Sequence, residues 1–143
     1  MNNLQKKADD KDFKDIKVGM KFGFEKFITE NDVNLFAKLI GDYNPLHMDE
    51  NYAKNTKFSD RIVHGMLTSS LFSTLVGMYC PGKRCLYLSQ TLNFKNPLKL
   101  NSLVSVQGEV TDIRESIKLI TIKTIIKFKD MTIVEGNAQV TII

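Results

Sequence analysis

The amino-acid sequence predicts an α+β fold in which an antiparallel sheet wraps around one long buried helix. Gly65 to Tyr79 contains no charged residue, and Met66, Leu67, Leu71, Phe72, Leu75, Val76 and Met78 cover most of a helix circumference there. At about 1.5 Å per residue such a helix is roughly 22 Å long, too short to cross a bilayer, so it must be buried in protein. Four later stretches alternate apolar and polar residues with period two, as antiparallel strands with one buried and one wet face do. A strand, then helices, then a run of strands is an α+β order.

Taken in order, Met1 to Asp15 is rich in Lys, Asp and Asn, with Leu4 and Phe13 as its large apolar side chains. It reads as a flexible N-terminal extension, and residues 16–143 as a single domain. Lys21 to Ile28 alternates well enough for a strand. Val33, Phe36, Ala37 and Ile40 recur at the spacing of one helical face, so a helix is expected from about Asn31 to Ile40. Thr29-Glu30-Asn31-Asp32 resembles a capping box at its start, and Gly41 suits its end. Asp42 to His47 must turn sharply, because Asn44 tolerates a left-handed conformation and Pro45 restricts its neighbour. Asp49 to Lys54 reads as a short helix opened by Asp49. After the buried helix, Leu86, Leu88, Gln90, Leu92 and Phe94 share one strand face. Val104, Val106, Gly108 and Val110 form the next, Ile120, Ile122, Thr124, Ile126 and Phe128 a third, and Val134, Gly136, Ala138, Val140 and Ile142 a fourth. Asn96-Pro97 and Lys129-Asp130 supply turns.

A chain of 143 residues with 43% hydrophobic content can bury a core of its own. The formal charge of +4 and pI of about 9.0 suit a polyanionic ligand or simple solubility. No basic–aromatic interleaving supports nucleic-acid binding. Neither a signal peptide nor an apolar run of membrane-spanning length is seen. Cys80 and Cys85 match no zinc or redox spacing, so a cytoplasmic chain with free thiols is expected.

Chemistry concentrates in two stretches that hold both histidines of the chain: Gly41-Asp42-Tyr43-Asn44-Pro45-Leu46-His47 and Arg61-Ile62-Val63-His64-Gly65-Met66. Turn chemistry alone accounts for the first; the second makes a catalytic site the better reading. Together with Leu71-Phe72-Ser73, Pro81-Gly82-Lys83, Tyr87-Leu88-Ser89-Gln90 and Asn93-Phe94-Lys95-Asn96-Pro97, these stretches resemble the MaoC-like (R)-specific enoyl-CoA hydratases of the hot-dog fold. The likeness covers about residues 16 to 143. It is closest to the short, single-domain type that feeds polyhydroxyalkanoate synthesis, in which Met1 to Asp15 has no counterpart.

The resemblance implies an enzyme that adds water to a trans-2-enoyl-CoA, giving the (R)-3-hydroxyacyl-CoA. Asp42 and His47 would be its catalytic pair, together holding and deprotonating the water and returning a proton to the substrate. Asn44 would position them through the turn. Gly65, at the uncapped start of the buried helix, would offer its amide to the thioester oxygen. Ser73 and Val76, at i and i+3, are candidates for one acyl channel, with ordinary helix packing the competing reading. His64 is assigned a structural role, packing or capping before the helix. No metal and no cofactor are implied, coenzyme A being part of the substrate, and the family pairs two subunits into a homodimer. Two other readings compete: a dehydratase acting on 3-hydroxyacyl groups held by an acyl-carrier protein, and a non-catalytic acyl-CoA-binding module. Retention of Asp42 and His47 argues against the latter.

Overall fold

The computed structural model describes residues 5–143. Six strands form one antiparallel sheet: β1 (Lys21–Ile28), β2 (Cys85–Gln90), β3 (Asn93–Phe94), β4 (Ser102–Arg114), β5 (Leu119–Phe128) and β6 (Met131–Ile142). Their order is β1-β4-β5-β6-β2, with the short β3 also paired to β6. The helices α1 (Glu30–Ile40), α2 (Pro45–Met48), α3 (Glu50–Lys54) and α4 (Gly65–Thr74) all lie between β1 and β2 in sequence. The concave face of the sheet packs on α4, burying Phe72, Leu75, Val104, Val106, Ile126 and Val134 together. This is the hot-dog arrangement.

Strand alternation becomes burial in β4, β5 and β6. Val104, Val106, Val110, Ile120, Ile122, Ile126, Val134, Ala138 and Val140 are all fully buried. In β2 the expected face is inverted. Leu86 and Leu88 are 46% and 52% exposed, and Phe94 in β3 is 56% exposed, while Cys85 and Tyr87 turn toward the core. The register shifts between Tyr87 and Ser89, and β2 pairs on one side only, so its apolar outer residues line an open edge.

α1 begins with the capping box expected of it: Thr29 Oγ1 accepts the Asp32 N–H at 3.1 Å and Asp32 Oδ2 accepts that of Thr29 at 2.9 Å. Val33 and Ala37 are buried on its inner face, but Ile40, expected there, is 52% exposed. The central helix departs from expectation twice. At Leu75 it widens into a π-type turn that runs to Tyr79 and closes with Cys80 N–H donating to Leu75 O. It is also not buried all round: Met66, Ser70 and Ser73, spaced as one helical stripe, stay exposed.

The N-terminal segment is a further correction. Residues 1–4 lie outside the described residues, but 9–15 are fastened, not loose. Asp9 N–H donates to Met78 O (3.0 Å), Lys83 N–H donates to Asp9 O (2.7 Å), and Arg84 pairs with Asp10 and Asp12 at 2.6 and 2.7 Å. These contacts close the C-terminal end of the central helix.

Candidate active site

α1 stops at Gly41, whose φ of +82° is a left-handed conformation suited to glycine. Two side chains then fold the backbone back on itself. Asp42 Oδ1 accepts the Asn44 N–H at 3.1 Å, and Asn44 Oδ1 accepts the Leu46 N–H at 3.0 Å, capping α2 with Pro45 in its first turn. The four-residue α2 carries His47. Asn44 therefore builds the turn, as the sequence suggests.

The stretch before α4 holds the turn from the other side. Ile62 N–H donates to Leu46 O (3.2 Å), and the His47 Nδ1–H donates to Ile62 O (2.8 Å). In its neutral form His47 is then left with a bare Nε2, the acceptor a general base needs. Arg61, only 9% exposed, donates through Nε to His47 O at 2.6 Å. Its other nitrogens reach Glu30 Oε1 (2.6 Å) and Asn34 Oδ1 (3.0 Å), so one side chain ties the turn to α1. Arg61→Met is expected to lower stability by about 2 kcal/mol, mostly from the buried bond to His47 O, because Glu30 is exposed and its ion pair is screened. Turnover should fall about tenfold or more as His47 loosens. Thermal melts alongside kcat check both effects.

His64 belongs to this site, which the sequence reading missed. It occupies the N-cap position of α4 without a side-chain capping bond. Its ring is 2% exposed, its Nε2–H donates to the Asp42 main-chain oxygen at 3.0 Å, and it stacks on the His47 ring at 4.0 Å between centroids. Burial pushes its pKa down, partly offset by the bond to Asp42 O. The available signal was the placement of the only two histidines of the chain in the two motif stretches.

Asp42, His47 and His64 bring one ligand atom each within 4.8 Å of one another. They are poorly disposed to share a metal ion. A metal lies in the plane of each imidazole that binds it, and these two planes meet at only 27° in a stack. The His64 Nε2 is moreover occupied as a donor. The arrangement suits proton transfer instead: a half-exposed carboxylate beside an imidazole with a bare nitrogen.

His47 and Gly65 border one largely apolar cavity of about 480 Å³, walled by Phe94, Pro97, Leu98 and Val134 among others. Gly65 opens α4, where the first N–H groups have no carbonyl one turn earlier to bond. Leu67 and Thr68 N–H already donate to His64 O, which leaves the Gly65 and Met66 amides without a carbonyl of the helix to bond, at two residues that border the cavity. A Cβ at position 65 would lie 2.7 Å from Phe94 Cε1, so glycine permits this close wall. Ser73 and Val76 do not share a channel. Ser73 opens on a groove between α4 and β2 with Phe36, Met66 and Tyr87, whereas Val76 is 1% exposed in the core against Ile16 and Val110. The wider winding from Leu75 onward turns Val76 inward.

Comparison with known proteins places this geometry. Residues 13–131 match the MaoC like domain family. The chain is 37% identical to an (R)-specific enoyl-CoA hydratase of Rhodospirillum rubrum over 91% of its own length and 90% of that protein. It is 43% identical to an (R)-specific enoyl-CoA hydratase of Aeromonas caviae over 76% and 81% of the two chains. Among solved structures, an (R)-hydratase from A. caviae involved in PHA biosynthesis superposes with a TM-score of 0.88 at 40% identity, covering 90% of this chain and 98% of that one. A buried helix whose start faces an Asp–His turn, inside a sheet of this order and with relatives this near, makes the chain a member of the MaoC-like family.

Proposed function

We propose that the chain is an (R)-specific enoyl-CoA hydratase, adding water reversibly to a trans-2-enoyl-CoA to give the (R)-3-hydroxyacyl-CoA. The observation that carries this reading is a carboxylate, Asp42, beside a His47 whose Nε2 is bare, with His47 and the Gly65 start of α4 bordering one apolar cavity. A water held by Asp42 and His47 loses a proton to the pair as its oxygen bonds to C3. The C2=C3 electrons move toward the thioester, and charge grows on its oxygen, where the Gly65 N–H and the helix dipole stabilise it. A proton delivered from the pair to C2 completes the addition, so the pair ends as it began. No electrons enter or leave the substrate, so the addition as written calls for no redox cofactor. The free thiols of Cys80 and Cys85 suit a reducing compartment, in keeping with a cytoplasmic enzyme.

Incubation with trans-2-enoyl-CoA in the presence of a chelator, followed by chiral analysis, tests the assignment. The expected result is loss of the conjugated double bond and an (R) product. An (S) product, or loss of activity with chelator, contradicts it; strong preference for the same acyl group on a carrier protein moves the reading to the dehydratase.

The working form is a homodimer. β2 offers an unpaired edge with Leu86 and Leu88 exposed, beside the uncovered Met66–Ser70–Ser73 stripe of α4. A second copy adding its own β2 would extend the sheet and cover that stripe. Light scattering through a dilution series is expected to give twice the chain mass, with specific activity falling as dimers dissociate. A fully active monomer rules out the shared architecture.

A further inference from the structure

Building on the hydratase reading, we propose that His64 is a positioning residue for the reaction: its ring anchors the Asp42 main chain to the start of α4 and forms the surface that holds the His47 imidazole in place. His47 is then fixed in three ways. Ile62 O takes its Nδ1–H, Arg61 takes its main-chain oxygen, and the His64 ring sets its plane, 27° from its own at 4.0 Å. Asp42 is held through its carbonyl, 3.0 Å from His64 Nε2, while its Oδ2 stands 4.0 Å from the same nitrogen.

A space-filling role does not account for a histidine here. With Nε2 donating, Nδ1 is a bare acceptor, buried and without a partner among the described residues. That is an unfavourable state which a phenylalanine of similar shape avoids. What the imidazole adds is the single donor aimed at Asp42 O. The charged and titratable groups facing it are Asp42 and His47 from the turn and Arg61 from its own stretch. Phe36 of α1 meets its ring edge-on, and α4 brings no charged residue. Burial, with His47 and Arg61 nearby, lowers the His64 pKa against the opposing pull of Asp42, which favours the neutral ring and spares a protonated His47 a second cation stacked against it.

Two substitutions separate the donor from the shape. His64→Phe keeps the ring and the stack but removes the donor; His64→Gln keeps a flat group with an N–H near the Nε2 position. His64→Phe is expected to lose roughly 10- to 100-fold in kcat with KM changed no more than about twofold, and His64→Gln to recover to within about fivefold of the parent. Wild-type kcat in His64→Phe, or a change in KM alone, overturns the proposal. Equal losses in both folded variants overturn it too, because restoring an N–H toward Asp42 O would then recover nothing. Imidazole ¹⁵N NMR of the unsubstituted protein decides the matter if either variant fails to fold. With two histidines in the chain, His64 is expected as the Nε2–H tautomer in its neutral form, protonating at lower pH than an ordinary imidazole, and His47 as the Nδ1–H tautomer in its neutral form. A His64 that shows the Nδ1–H tautomer, or that protonates with an ordinary pKa, overturns the proposal. This spectrum needs no substrate, so it stands or falls separately from the hydratase assignment.

Discussion

Asp42→Asn is expected to reduce turnover at least a hundredfold while the protein stays folded. The asparagine keeps an oxygen that can accept the Asn44 N–H, now made at 3.1 Å, and the His64 bond goes to the main chain, which the substitution leaves in place. The turn should therefore survive. What disappears is the carboxylate, and a positioned acid–base group is typically worth roughly 10²–10⁴ in rate. The Asp42 side chain is 45% exposed, so its loss leaves no buried charge unpaired and the melting temperature should move little. Hydration rates with trans-2-enoyl-CoA, set beside a thermal melt, provide the measurement. Activity within a few-fold of the parent protein removes Asp42 from the chemistry. Unfolding of the variant would instead make the turn structural.

How much of this was readable beforehand depends on how local each determinant is. β1 falls on Lys21–Ile28 and α1 ends at Ile40, because alternation, a capping box and a left-handed glycine act within a few residues. The Asp42–His47 turn was legible for the same reason: Asx bonds and Pro45 fold it from within. Determinants set by distant partners were not. Asp9 to Asp15 looks like a solvated charged tail until Arg84 is placed beside Asp10 and Asp12. In β2 alternation pointed the wrong way, since an edge strand with a register shift at Leu88 has no face the core fully claims. His64 was read as packing, and it does pack; that its ring would lie on His47 follows from tertiary contacts that periodicity does not encode. The π-type turn at Leu75 likewise separated Ser73 from Val76 although their spacing suits one helical face.

Substitution of His47 separates position from chemistry, and its two forms should behave differently. His47→Asn places an amide nitrogen about where Nδ1 sits, so the bond to Ile62 O, 2.8 Å in the parent, can be kept. His47→Ala leaves Ile62 O without that donor and His64 without its stacked partner, so stability should fall by about 1 kcal/mol. Both variants lack Nε2 and both should lose at least roughly a hundredfold in turnover. Near-normal activity in His47→Asn would show that Nε2 moves no proton. The decisive comparison adds Asp42→Asn to His47→Asn. A carboxylate and an imidazole that share one water act as a unit, so removing the second should cost little once the first is gone. Single losses that multiply in the double variant would mean two independent roles, and the shared-water mechanism would have to be abandoned for one in which each group serves a separate step.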